Sequence, residues 1–173
     1  MRYDFLIDTY ETERLKVISA WSMFTDDDLP VRPNASDTRG RSFHEHMVHQ
    51  CDSEDIWFRT MLDIDAGAPP LPKQEVRLEF IRRYEEDSGK RLTALRNKEE
   101  AWWEGETTFF DVRRSRAWVL TRRIAHTRKV QILERDETMG DVLKRRTAKG
   151  KTLRVKFGPC NVVLLPFWNA FTG

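Results

Sequence analysis

The sequence predicts an all-α protein: a four-helix bundle in one domain, with an irregular basic and apolar C-terminal tail. Four long segments carry apolar residues at helical spacing, and Pro- or Gly-containing stretches separate them. The composition agrees, because 39% apolar and 34% charged residues suit amphipathic helices with solvated outer faces. A chain of 173 residues is long enough for one full-sized core.

The first helix is expected over residues 8–25. Asp8 and Glu11 have the spacing of a capping pair at its start. Its apolar stripe consists of Tyr10, Val17, Trp21 and Phe24. Three aspartates and two prolines then follow, and such a run does not continue a helix.

The second helix is expected over residues 42–62, and its start is the clearest local signal in the chain. Ser42 and Glu45 form an S-x-x-E capping box. The helix is expected to end before the sequence DAGAPPLP.

The third helix is predicted over residues 72–103. Pro72 suits the first helical position because its missing N–H has no helical partner there. Gly89 is a weak point inside the helix, and Gly105 marks the end of the segment.

The fourth helix is predicted over residues 111–137, with Asp111 as its cap. No convincing alternating strand is expected anywhere in the core. The tail, residues 138–173, starts strongly basic and ends in the apolar sequence NVVLLPFWNAF. Its local structure is not predicted by propensity.

Several protein classes do not suit this composition. Cys51 and Cys160 have neither disulfide nor metal-type spacing, and the acidic N-terminus does not suit a signal peptide. The longest apolar run is too short for a membrane span. We therefore expect a cytoplasmic protein that does not use a membrane partner.

Three of the four histidines lie on the predicted second helix, and the fourth lies on the last. His46 and His49 are three residues apart and share a face, whereas His44 is rotated away. Histidines on two facing helices are a common metal site in bundles, so His46, His49 and His126 are candidate ligands. The alternative is that His126 is an ordinary core histidine.

Charged residues around these histidines have two interpretations. Arg122 and Arg123 precede His126 and are either contacts for an anionic substrate or partners of helix acids, the commoner case. Asp52, Glu54 and Asp55 follow His49 and are interpreted as a solvated face. No serine or cysteine with a paired base is evident, so the catalytic residue stays unknown, and Cys51 is interpreted as a packed thiol.

The chain resembles the DinB/YfiT-like family of four-helix bundles, which are described as metal-dependent enzymes. The resemblance covers roughly residues 5–127. The matching stretches are EHMVHQ with IWFRTML, the middle segment from PPLPKQEV, and RRIAHT, which is the most specific. It implies that His49 and His126 bind a divalent metal, zinc or nickel, for hydrolysis or thiol S-transfer.

One departure from the family pattern affects the metal. The family's third histidine lies four residues after the second, and Val130 stands at that position here. Catalytic zinc sites normally use three protein ligands, so two histidines would bind the ion more weakly. His46, Asp52 or Glu54 are the alternatives for the third ligand.

Two functions are therefore expected to compete. The first is a divalent-metal-dependent enzyme, with an intact or a degraded metal site, acting on a small-molecule substrate. The second is a metal-free, non-catalytic homodimer with a stress-response or interaction role. Nucleic acid is the least favoured partner, because the basic stretch 144–156 has almost no aromatic residues for stacking on bases.

Overall fold

A computed structural model describes residues 2–32 and 41–133 of the chain, with only the backbone described at 129–133. This part is mostly helical, and it also contains one small two-stranded sheet. In chain order the elements are α1 (Asp4–Trp21), a 3₁₀ turn (Asp26–Asp28), α2 (Phe43–Met61), α3 (Arg77–Arg96), α4 (Glu100–Glu104), β1 (Glu106–Phe109), β2 (Val112–Ser115) and α5 (Arg116–Leu133). The predicted tail, 138–173, lies outside the described residues.

The start of α2 agrees with the prediction from its capping box. The Ser42 hydroxyl accepts a hydrogen bond from the Glu45 N–H at 3.2 Å. In return the Glu45 carboxylate accepts one from the Ser42 N–H at 2.7 Å. These two bonds satisfy donors that the first helical turn leaves without partners.

Helix α1 begins four residues before the predicted capping pair. Its first turn is held by tertiary packing, because Leu6 and Ile7 are buried in the core. Tyr3, at the helix N-cap, stacks on Trp103 with ring centroids 5.4 Å apart. The prediction of a start at Asp8 was therefore wrong, since a local capping pattern was outweighed by burial of the residues before it.

The third predicted helix is shorter and is interrupted. Pro72 precedes the helix, which starts only at Arg77, where the Asp26 carboxylate accepts the Arg77 N–H at 2.8 Å. The helix ends at Arg96, and Trp103 lies on the separate helix α4. This break allows Trp103 to be fully buried against α1.

A β-hairpin occupies the place where the fourth helix was expected to begin. Strands β1 and β2 pair antiparallel with Phe109 opposite Val112, so only Phe110 and Asp111 connect them. Phe110 has a positive φ of 53°, a conformation that glycine or asparagine normally supplies in such turns. Asp111 therefore lies in a turn and does not cap α5, and the expectation of no strand was wrong.

Each of the four long helices packs against two of the others. Helix α1 contacts α3 and α5, and α2 contacts the same two helices. Among the described residues, no helix is both long and apolar enough to cross a membrane.

A buried carboxylate joins all four long helices. Glu54 on α2 is fully buried and accepts hydrogen bonds from Tyr10 of α1 at 2.6 Å and Tyr84 of α3 at 3.0 Å. It also forms ion pairs with Arg91 of α3 at 3.5 Å and Arg123 of α5 at 3.4 Å. We call Glu54 and these four partners the polar hub. The interpretation of Glu54 as a solvated residue was wrong.

Candidate functional site

The structure brings the rings of His49 of α2 and His126 of α5 next to each other in a tilted arrangement. Their ring centroids are 5.6 Å apart, with 53° between the ring planes. Trp57, two turns after His49, lies beside them with its ring 6.1 Å from that of His126. The two predicted histidine helices therefore do meet, and we call His49 and His126 the histidine pair.

The position of the histidine pair follows from helix phase. His49, Ser53 and Trp57 recur every four residues on α2, and all three are half-buried. Ser53 accepts a hydrogen bond from Arg123 of α5 at 3.0 Å. The stripe therefore faces α5, and His126, three residues after Arg123, falls opposite His49.

His49 is held in its neutral form at physiological pH. Partial burial lowers its pKa, and the positive charges of Arg41 and Arg123 lower it further. A neutral imidazole has a lone pair that binds a metal or accepts a proton.

His46 does not complete a three-ligand site in the described residues. It is buried, and this burial, with smaller contributions from Arg41 and His49, lowers its pKa to about 4. No three His, Cys, Asp or Glu side chains in that part of the chain are arranged to hold one metal ion. The third-ligand role predicted for His46 thus has no geometric support, because its side chain is packed in the interior.

His44 lies outside the site, as its rotation on the helix predicted. Its Nε2 atom is 2.6 Å from the carboxylate of Glu75, and its ring meets the edge of Phe80. His44 is therefore a natural control for experiments on the histidine pair.

Arg123 is a buried structural cation and not a surface contact for substrate. Its side chain is fully buried, and it binds the hydroxyl of Ser53, the main-chain oxygen of Gln50 and the carboxylate of Glu54. One terminal nitrogen, Nη1, also lies 3.3 Å from Nδ1 of His126. Of the two interpretations, pairing with a helix acid is the one that the structure favours.

Arg122, unlike Arg123, is exposed. Its guanidinium lies over the ring of Trp118, 5.7 Å from the centroid. Arg122 precedes His126 by four residues on α5, and its guanidinium is accessible to an anion from solvent.

Cys51 and Asp55 do not supply a reactive group. Cys51 is buried, and burial raises the pKa of its thiol well above the ordinary value, so the thiolate is absent at neutral pH. Asp55 is also buried and is paired with Arg91 at 3.2 Å. The interpretation of Cys51 as a packed thiol agrees with this burial. The interpretation of Asp55 as part of a solvated face was wrong.

The polar hub is the part of the site that sequence patterns missed. On α2, Met47, Cys51, Glu54 and Phe58 form one buried stripe with helical spacing. Glu54 lies at a position of that stripe where helical spacing predicts a buried apolar residue. This spacing was the feature of the sequence that indicated a buried carboxylate. A carboxylate at such a position requires buried cationic partners, which here are Arg91 and Arg123.

The histidine pair fits a shared metal ion by its spacing. A zinc–nitrogen distance of about 2.0–2.1 Å with tetrahedral angles places two ligating imidazole centroids roughly 5 Å apart. The observed 5.6 Å is close to that value. Two protein ligands would leave the remaining positions to solvent or substrate.

Comparison with family models, with curated proteins and with solved structures finds no match to this chain.

Proposed function

We propose that the chain is a DinB-like four-helix-bundle protein that binds a divalent metal, zinc or nickel, at the histidine pair. The observation that carries the proposal is the 5.6 Å separation of the imidazole rings of His49 and His126, which come from two different helices. Two histidines from distant segments meet at ligand spacing, and one of them has a lowered pKa that keeps it in the ligating form.

The chemistry proposed for this site is that of an exposed Lewis acid. A metal with open positions lowers the pKa of a bound water or holds a thiolate, which would support hydrolysis or thiol S-transfer on a small molecule. The protein's own contribution is to position His49 and His126 and to cover one side of the pair with Trp57. The proposal includes a cytoplasmic homodimer.

The alternative function is a metal-free bundle with an interaction or stress-response role. Two observations favour it: the described residues supply only a two-histidine donor set, and the guanidinium of Arg123 lies 3.3 Å from His126. A fixed positive charge beside the ligand opposes the approach of a divalent cation. The two functions differ in a directly measurable quantity, the affinity for metal.

The deciding experiment measures metal content in protein purified without a histidine tag. His49→Ala and His126→Ala each remove one proposed ligand, and His44→Ala is the matched control because His44 pairs with Glu75. We expect bound zinc or nickel in the wild type and in His44→Ala, and none in the other two variants.

The opposite result is equally clear. Wild-type protein that stays empty after incubation with excess zinc, nickel or manganese would reject the metal site and support the alternative. Equal loss of metal in His44→Ala would place the ion elsewhere.

A further inference from the structure

The contact between Arg123 and His126 determines which ring nitrogen of the histidine carries hydrogen. Arginine stays protonated in proteins and has only donors. Nη1 of Arg123 is 3.3 Å from Nδ1 of His126, so a hydrogen bond between them requires Nδ1 to accept. A neutral imidazole that accepts at Nδ1 carries its hydrogen at Nε2.

Arg123 cannot easily move away from this contact. Its side chain is fully buried, and its other bonds go to Ser53 at 3.0 Å, Glu54 at 3.4 Å and the main-chain oxygen of Gln50 at 3.5 Å. Moving the guanidinium would leave Glu54 with only Arg91 as a cationic partner in the described part of the chain. The polar hub thus fixes the donor that faces His126.

This arrangement is the reverse of the usual surroundings of a metal-bound histidine. Such a histidine binds the ion with one nitrogen and donates its other N–H to a carboxylate, carbonyl or water. Here the second nitrogen of His126 faces a permanent donor. For Nε2 to bind a metal, the hydrogen must move to Nδ1, where it would point at the guanidinium.

We propose that Arg123 is a positioning residue that holds His126 with its hydrogen on Nε2 and thereby weakens metal binding at the histidine pair. The effect on the metal rests on the proposed function; the tautomer does not.

The first test needs no metal. Nitrogen-15 NMR of the histidine rings in metal-free, full-length protein distinguishes a protonated from an unprotonated ring nitrogen. We expect the His126 signals of a hydrogen-bonded, unprotonated Nδ1 and a protonated Nε2, with an Nδ1 shift that changes in Arg123→Met. Hydrogen on Nδ1 in the wild type would overturn the inference.

The second test compares zinc affinity by competition with a coloured chelator. Arg123→Met removes the donor while keeping a long side chain, and we expect it to bind zinc at least about tenfold more tightly than the wild type. Arg123→Lys keeps a cationic donor and should restore weak binding. Equal affinity of Arg123→Met and the wild type would refute the role of Arg123.

A double variant separates folding from metal chemistry. Arg123→Met with Glu54→Gln removes both buried charges, so it retains the tighter affinity without a buried unpaired carboxylate. If no variant binds zinc, the proposed metal function fails, and the NMR result alone decides the tautomer.

Discussion

Glu54→Gln is the substitution that tests the polar hub most directly. The side chain keeps its shape but loses its charge, and glutamine accepts fewer hydrogen bonds than a carboxylate. Arg91 keeps an ion pair with Asp55 at 3.2 Å. Arg123, however, loses the only carboxylate that pairs with it among residues 2–32 and 41–128.

The expected cost follows from that difference. Removing one partner of a buried ion pair costs about 3–5 kcal/mol, because the remaining charge stays buried without compensation. Tyr10 donates to Oε1 of Glu54 and Tyr84 donates to Oε2, so the single amide oxygen of glutamine keeps only one of these hydrogen bonds. We therefore expect the full cost of about 3–5 kcal/mol. This is a large share of the roughly 5–15 kcal/mol that stabilises a typical domain.

Urea denaturation followed by circular dichroism measures this free energy of unfolding. Glu106→Gln is the matched control, because Glu106 pairs with Arg113 at 3.0 Å on the exposed hairpin. Its loss should cost less than about 0.5 kcal/mol.

A double-mutant cycle identifies the cause of the cost. Arg123→Met added to Glu54→Gln removes the charge that was left unpaired, so the double variant should be clearly more stable than the sum of the single effects predicts. A cost below about 1 kcal/mol for Glu54→Gln, or strict additivity in the cycle, would refute the reasoning about the hub.

Three further predictions concern the helices. Gly89→Ala should raise the free energy of unfolding by about 0.5–1 kcal/mol through helix propensity, since the new Cβ would meet Arg14 only at an ordinary 3.5 Å; a lower urea midpoint would contradict it. Ser42→Ala should cost about 1 kcal/mol by removing the cap on the Glu45 N–H, and Ser42→Thr should restore most of it in the same assay. The pKa of His46 is about 4 in the folded protein and 6.5 ordinarily, so the unfolded chain binds the proton at higher pH than the folded protein does. The contribution of His46 to the free energy of unfolding is therefore fully present above pH 6.5 and is lost as the pH falls toward 4. His46→Gln should flatten that part of the pH profile, and an unchanged slope would show that another group causes it.

Features that depend on neighbouring residues were predictable from the sequence. The capping box of Ser42 and Glu45 acts within a single helical turn, and α2 begins and ends where the sequence indicates. The mostly helical content was also predicted correctly, and so was the end of the third helical segment at Gly105, which is the C-cap of α4. For the site, helix phase alone separated His49 from His44.

Features that depend on distant residues were decided by tertiary structure. Helix α3 starts at Arg77 because the carboxylate of Asp26, 51 residues earlier, caps it. The same holds for Glu54, which is stable in the core only because Tyr10, Tyr84, Arg91 and Arg123 converge on it from three other helices.

The histidine pair combines both kinds of information. Sequence spacing assigned His49 and His126 each to a helix, and the packing of α2 against α5 brought their rings to 5.6 Å. Helix spacing already places Arg123 one turn before His126, and the packing of α2 against α5 fixes its guanidinium there through Ser53 and Glu54. Local patterns determine which residues are helical, because a backbone hydrogen bond spans four residues. They do not determine which buried charges meet, because that depends on the free energy of burying groups that are far apart in the chain.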